Sequence, residues 1–318
     1  MSTSMVEGSP LKLMLRFAMP LLAGNLLQQT YNIIDAAIVG QTLGAQALAG
    51  VGASSSVQFL VLGFCMGSCA GFGVPIAKYF GAGDQKKMRD CVFNGAALTA
   101  LIAVILTITC SLLCNSILHI LSVPSDIYAD AYRYLIVIFL GIPFTLMYNY
   151  LSSILRSVGD SRTPFLFLAF SAGLNIFLDL FCIIVLHWGC MGAAIATVIS
   201  QIVQAILTFR YFSKKSAFVR IHKIQKSKDI SSEMFSIGSS AMMMQILFAV
   251  QQTFLFKQAF AYGGDNWGIL MAATMRLYMV SFIPLWGMSQ GLQPVIGANF
   301  GAKQYKRVKD TMKVFMYG

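Results

Sequence analysis

Apolar residues fall into long blocks separated by short polar breaks, and the blocks have the length a bilayer demands of a helix, about 20 residues. Eight such stretches occur, at roughly 15–40, 50–79, 92–122, 132–155, 164–186, 191–212, 235–259 and 268–299. A ninth begins near Thr311 and is cut off at Gly318. The breaks alternate in charge. Lys12 and Arg16 precede the first block, Lys86, Lys87 and Arg89 follow the second, Arg156 and Arg162 follow the fourth, and the 210–228 stretch after the sixth is rich in Lys and Arg. The intervening breaks at 123–131, 187–191 and 260–267 hold no Lys or Arg. Basic residues collect on the cytoplasmic side of membrane proteins, so this alternation predicts a multi-pass helical protein with its N-terminus in the cytoplasm.

One segment occurs twice. Met66-Gly67 through Tyr79-Phe80-Gly81-Ala82 to Asp90 returns 220 residues later as Trp286-Gly287 through Asn299-Phe300-Gly301-Ala302 to Asp310. Gly67, Gly71, Ile76, Phe80, Gly81, Ala82, Lys86 and Asp90 have identical counterparts at that offset. Six helices separate the copies, which predicts two like-oriented halves of the kind found in transporters. The division expected is a complete six-helix first lobe over 1–212, a basic cytoplasmic linker over 213–232, and the start of a second lobe over 233–318. Two full copies at this offset need about 440 residues, so a fragment or a truncated product is expected.

Composition sharpens this picture. The chain is 57% hydrophobic and 11% charged, against about a quarter charged in a soluble domain, and its mean hydropathy is +0.71. Topology accounts for the net charge of +11 without a nucleic-acid partner. The seven cysteines form no C-x-x-C pair and read as small packing residues. The three histidines are scattered and no G-x-S-x-G occurs, so nothing points to an enzyme or to a cofactor.

Ten of the twelve acidic residues lie in breaks, termini or helix ends; Asp35 and Asp179 do not. A carboxyl at membrane depth costs several kcal/mol, by scale-dependent estimates, unless it is paired, protonated or bound to a cation. Asn175 lies one turn before Asp179, Thr197 is expected at the same level of the sixth helix, and Gln28, Asn32 and Asp35 follow i, i+4, i+7 spacing as a polar stripe. Carboxylates with amide and hydroxyl oxygens suit a hard monovalent cation such as Na⁺, or a shared proton. The plainer alternative is interhelical hydrogen bonding, which Asn or Ser would supply at lower desolvation cost. Pro20 marks a possible bend of the first helix. The abundant aromatic residues and 18 methionines are suited to an adaptable apolar cavity.

At these residues the sequence resembles the multidrug and toxic compound extrusion (MATE) family. Pro20-Leu-Leu through Tyr31-Asn32-Ile-Ile-Asp35-Ala-Ala-Ile-Val39-Gly40 is similar to that family's first helix. Leu155-Arg156 through Gly159-Asp160-Ser161-Arg-Thr-Pro164 resembles a cytoplasmic-side loop motif, and Asn175-Ile-Phe-Leu-Asp179 and Gly192-Ala-Ala-Ile-Ala-Thr197 resemble its fifth and sixth helices. The resemblance implies a twelve-helix, two-lobed antiporter of the plasma membrane, a monomer where the chain is complete. It would export amphipathic, often cationic compounds by alternating access in exchange for Na⁺ or H⁺, with Asp35, Asn175, Asp179 and Thr197 as the cation site. Two alternatives stand beside it. A lipid-linked oligosaccharide flippase of related fold would need several cationic residues inside a central cavity, and a truncated remnant would transport nothing.

Overall fold

The computed structural model describes residues 5–120, 123–215 and 228–317. The last two residues of the stretch expected over 92–122, and 216–227 of the expected linker, lie outside them. Every predicted block is helical. The elements are α1 (Pro10–Leu43), α2 (Ala45–Gly81), α3 (Gln85–Ile120), α4 (Ser125–Ser157), α5 (Arg162–Leu180) with a π-helical segment Phe181–Val185, α6 (Gly189–Lys215), α7 (Lys228–Gly301) and α8 (Tyr305–Tyr317). The seventh and eighth predicted blocks are the two arms of α7, which meet at the non-helical Gly264. The expected ninth helix starts earlier than its apolar run, at Tyr305. Among the described residues six helical stretches are long and apolar enough to cross a membrane on composition alone. α1 is not one of them, because Gln28, Gln29, Thr30, Asn32 and Asp35 dilute its hydropathy.

Local chemistry sets the helix ends. Pro10 sits in the first turn of α1, where its missing N–H costs nothing. The Asp84 carboxylate accepts from the Lys87 backbone N–H (3.0 Å) at the start of α3. Asp160 accepts from the Thr163 N–H (3.0 Å) and hydroxyl (2.7 Å) and from Tyr211 of α6 (3.1 Å). Such caps contribute about 1 kcal/mol each. Gly44 and Gly264 both have positive φ, 88° and 63°, a region open to glycine and strained for other residues. They stand 220 residues apart, so the repeat carries the same turn in both copies.

In the first six helices α4 is the central member, packed against α2, α3 and α6, while α5 bridges α6 and α1. The main apolar core joins Phe72 and Ile76 of α2, Cys91 and Leu118 of α3, and Phe139 and Leu146 of α4, and it reaches Met234 and Met242 of α7. All seven cysteines are free and buried.

The two copies of the repeat meet each other. A Cβ on Gly81 would strike the backbone of Ala298, and one on Gly301 would strike the backbone of Lys78; these are the same contact, since 298 and 301 are 78 and 81 displaced by 220. Likewise Gly71 faces Ile237 and Gly238 while Gly291 faces Phe17 and Ala18, and Gly67 faces Ala241 while Gly287 faces Leu22. Small residues let membrane helices approach backbone to backbone. Here they fix a pseudo-two-fold axis on which α2 and the second arm of α7 cross near the basic end. Beside this crossing Lys78 of α2 also pairs with Glu233, on the first arm of α7, at 2.8 Å. Substitution at the crossing therefore carries a heavy cost. Gly81→Val is expected to destabilise the protein by at least about 1–3 kcal/mol through overpacking. Gly173→Ala on α5, whose Cβ meets nothing, is expected to be neutral or to stabilise by about 0.5–1 kcal/mol. Thermal unfolding of the purified protein in one detergent checks both.

Candidate functional site

Asp179 occupies the last turn of α5 and is fully buried. The π-helical segment begins two residues later; a π turn inserts an extra residue into the helix and is frequent at functional sites. Asp35 is half-buried on α1. The two carboxyl groups are neighbours, each close enough to feel the other's charge. Tyr31 of α1 and Tyr134 of α4 are close to both, and Tyr134 is within reach of Gln58 on α2. Asn175, one turn before Asp179, donates from Nδ2 to the Thr197 hydroxyl of α6 at 3.4 Å.

The oxygens of this cluster lack donors. Asp35 Oδ1, both Oδ atoms of Asp179 and Asn175 Oδ1 are buried with no hydrogen-bond partner. Buried polar atoms are nearly always satisfied, so such a set calls for an ion, a water or a proton. Two bare charges 4 Å apart repel by about 4 kcal/mol at an effective dielectric of 20. An all-oxygen set with two carboxylates can relieve that repulsion by holding a hard monovalent cation or by sharing a proton.

A cavity of about 130 Å³ runs inward from this cluster between α1, α2, α4, α5 and α6. At one end it is lined by Tyr31, Asn175 and Thr197, and at the basic end by Arg156, Ser161 and Pro164. Gln28 and Pro20 line its α1 wall. The carboxyls of Asp35 and Asp179 are not part of the lining, so they sit just past its end, reached by way of Asn175 and Thr197. A smaller cavity of about 60 Å³ lies between α2, α4 and the second arm of α7. Met66, Asn149, Arg156 and Gln290 line both.

Of the residues singled out in the sequence, Asp35, Asn175, Asp179 and Thr197 come together, and Gln28 joins the cavity wall. Asn32 does not: it is exposed. At 100° per residue it lies about 40° round α1 from Gln28, while Asp35 lies about 20° the other way, and that difference turns Asn32 out of the inward face. Pro20 lies inside an unbroken α1. Sequence reasoning missed Tyr31, Tyr134 and Gln58. Tyr31 had a signal, its i, i+4 spacing to Asp35; Tyr134 and Gln58 had none, since only tertiary packing brings them here.

A buried carboxylate pair at the end of an internal cavity, in a helical membrane protein built on a repeated half, is the arrangement of a membrane transporter. Comparison with known proteins identifies the kind. The MatE family model matches residues 20–181 and 270–317, and the chain belongs to the MATE family. The multidrug export protein MepA of Staphylococcus aureus (strain NCTC 8325 / PS 47) is 30% identical over 315 residues, covering 96% of this chain and 68% of that protein. The probable multidrug resistance protein YpnP of Bacillus subtilis (strain 168) is 28% identical over 303 residues, covering 95% and 68%. An outward-facing multidrug resistance MATE transporter of the MOP superfamily superposes with a TM-score of 0.93 at 25% identity, over 99% of this chain and 71% of that one. A MATE crystallised in its bent conformation gives 0.93 at 26% identity, over 99% and 72%.

Because no protein donor reaches Asp179, substitution of its carboxylate loses no protein hydrogen bond. Asp179→Asn keeps the shape and removes the repulsion, so its melting temperature in Na⁺-free detergent solution is expected to equal or exceed that of the parent. A fall of several degrees would show that the carboxylate makes a stabilising contact instead.

Proposed function

We propose that this chain carries the ion-coupling half of an efflux antiporter that exports amphipathic small molecules, often cationic, across the plasma membrane in exchange for Na⁺ or H⁺. The observation that carries the reading is the donor-free oxygen cluster of Asp35, Asp179 and Asn175 at the end of the α1–α6 cavity. The names of the relatives, multidrug export and multidrug resistance proteins, support it. In this reading residues 1–212 are the coupling lobe, 213–232 the linker and 233–318 the beginning of the second lobe, with the N-terminus and basic loops in the cytoplasm. The transporter works as a monomer and needs no cofactor besides the coupling ion.

The mechanism follows from which helix bears which group. Asp179 is anchored in the buried wall, whereas Asp35 belongs to α1, which also lines the cavity through Pro20, Gly24, Gln28 and Tyr31. A cation or proton arriving between the carboxyls turns repulsion into attraction and draws α1 toward α5. Pro20 removes one backbone hydrogen bond and so gives α1 a place to bend. Narrowing of the cavity expels substrate, and by linkage substrate binding must weaken cation binding by the same factor. The flippase alternative needs several cationic groups in the cavity; among the described residues Arg156 is the one Lys or Arg lining either cavity.

The test is export of a fluorescent amphipathic cation by the full-length protein in vesicles under imposed Na⁺ or proton gradients. Export is expected to follow one of the two gradients. Asp35→Asn and Asp179→Asn are expected to slow gradient-driven export by about tenfold or more, within the usual range of coupling energies. Export at the parental rate by either variant would sink the proposal.

A further inference from the structure

Arg156 closes α4 next to the basic loops, and by sequence it belongs with the residues that orient the protein. The structure turns it inward. Its side chain lines both the α1–α6 cavity and the smaller cavity toward α7. No Asp or Glu lines either one, and among the described residues the only ion pair is Lys78–Glu233. Arg156 makes no hydrogen bond there either, so its guanidinium presents five donors and a full charge to the space where the two cavities join.

Its neighbours add further donors. The Gln201 carbonyl is taken by the Thr145 hydroxyl at 2.6 Å, which leaves the amide N–H groups of Gln201 for the cavity. Gln204 is 4% exposed, and its Nε2 is buried with no acceptor in good geometry. The opposite wall is apolar, with Leu21, Leu62, Met66, Phe165 and Leu168. A planar fork of donors beside unfilled amide donors recognises carboxylate or phosphate oxygens, and the apolar wall calls for a hydrophobic body attached to them.

We propose that Arg156, with Gln201 and Gln204, forms an anion-recognition site where the two cavities meet, taking amphiphiles that carry a carboxylate or phosphate group. The proposal rests on the efflux reading and deepens it. The carboxyls of Asp35 and Asp179 attract positive charge at the far end of the cavity, while Arg156 attracts negative charge at the basic end. Zwitterionic amphiphiles therefore match the cavity along its whole length.

Calorimetric titration of the full-length protein in detergent, with no gradient, tests this apart from transport. The probes are 1-naphthyl phosphate, 1-naphthylmethylammonium and inorganic phosphate. The naphthyl phosphate is expected to bind at least about tenfold tighter than the ammonium, the range of a hydrogen bond to a charged group. Arg156→Gln is expected to erase that preference and Arg156→Lys to restore part of it, with thermal unfolding showing both variants folded. Equal or tighter binding of the ammonium, a preference that survives in Arg156→Gln, or inorganic phosphate binding as tightly as its naphthyl ester would each overturn the proposal. None of those results touches the export assay, which stands or falls on Asp35 and Asp179.

Discussion

A carboxylate inside a lipid-embedded bundle cannot keep its charge to itself, and the architecture around Asp179 is arranged by that constraint. A lone charge in this position would be hydrated through a defect or matched by a fixed cation. Among the described residues no Lys or Arg lies beside it, and the titratable groups near it are a second carboxylate, Asp35, the phenols of Tyr31 and Tyr134, and the Cys182 thiol. A fixed cation would stabilise the cluster permanently. Its omission leaves a site whose free energy depends on what diffuses in, which is the requirement for coupling. In the proposed antiport, placing one carboxyl on the buried α5 and the other on the cavity-lining α1 would convert that dependence into relative motion of two helices.

Such motion needs a frame that stays put, and the pseudo-two-fold axis supplies one. Its contacts are backbone to backbone at Gly81, Gly301, Gly71 and Gly291, where no side chain can flex to absorb a displacement. The geometry is symmetric, yet the chemistry flanking it is not. On one side Lys78 meets Glu233; the residues 220 positions away are Ala298 and Leu13, which are buried in a small apolar cluster with Met5, Phe17 and Val295. The Lys78–Glu233 pair is about one-third exposed on each side, so it contributes at most about 1 kcal/mol. The apolar side, at about 25 cal/mol per Å² removed from water, is the stronger of the two fastenings. Separation of the halves at the basic end is therefore opposed mainly by burial and steered by charge.

Much of this was legible in the sequence because the bilayer enforces simple rules. Span lengths, the alternation of Lys and Arg, and the 220-residue repeat all follow from constraints that act along the chain. Asp35 and Asp179 stood out because a carboxyl at membrane depth is costly enough to require a partner, a proton or a cation. What escaped reading depends on rotation and tertiary contact. Asn32 has the right spacing for the polar stripe and faces outward; a deviation of about 40° decides it. The π-helical turn after Asp179 leaves no mark in Phe181–Val185, an ordinary apolar run. Arg156 reads as a topology residue, and only the packing of α2, α4 and α7 turns it into a cavity wall. Gly44 and Gly264, by contrast, could have been matched as a repeated turn from their spacing alone.

The Asp35 carboxylate has no counterpart at the matching position of the second copy. Where the first copy has Pro20, Gln28, Tyr31 and Asp35, the second has Ser240, Phe248, Gln251 and Leu255. Each replacement removes a specific capacity: the helix-bending proline, the amide on the cavity wall, the phenol beside the carboxyls, and the carboxyl itself. The first arm of α7 nevertheless keeps the backbone fold of α1, including its glycine turn. At these matched positions the scaffold is present twice and the carboxylate once. Gln245 and Met242 of the first arm of α7 face α2 as packing groups, so the position matching the α1 site is filled by side chains that pack rather than by groups that carry charge.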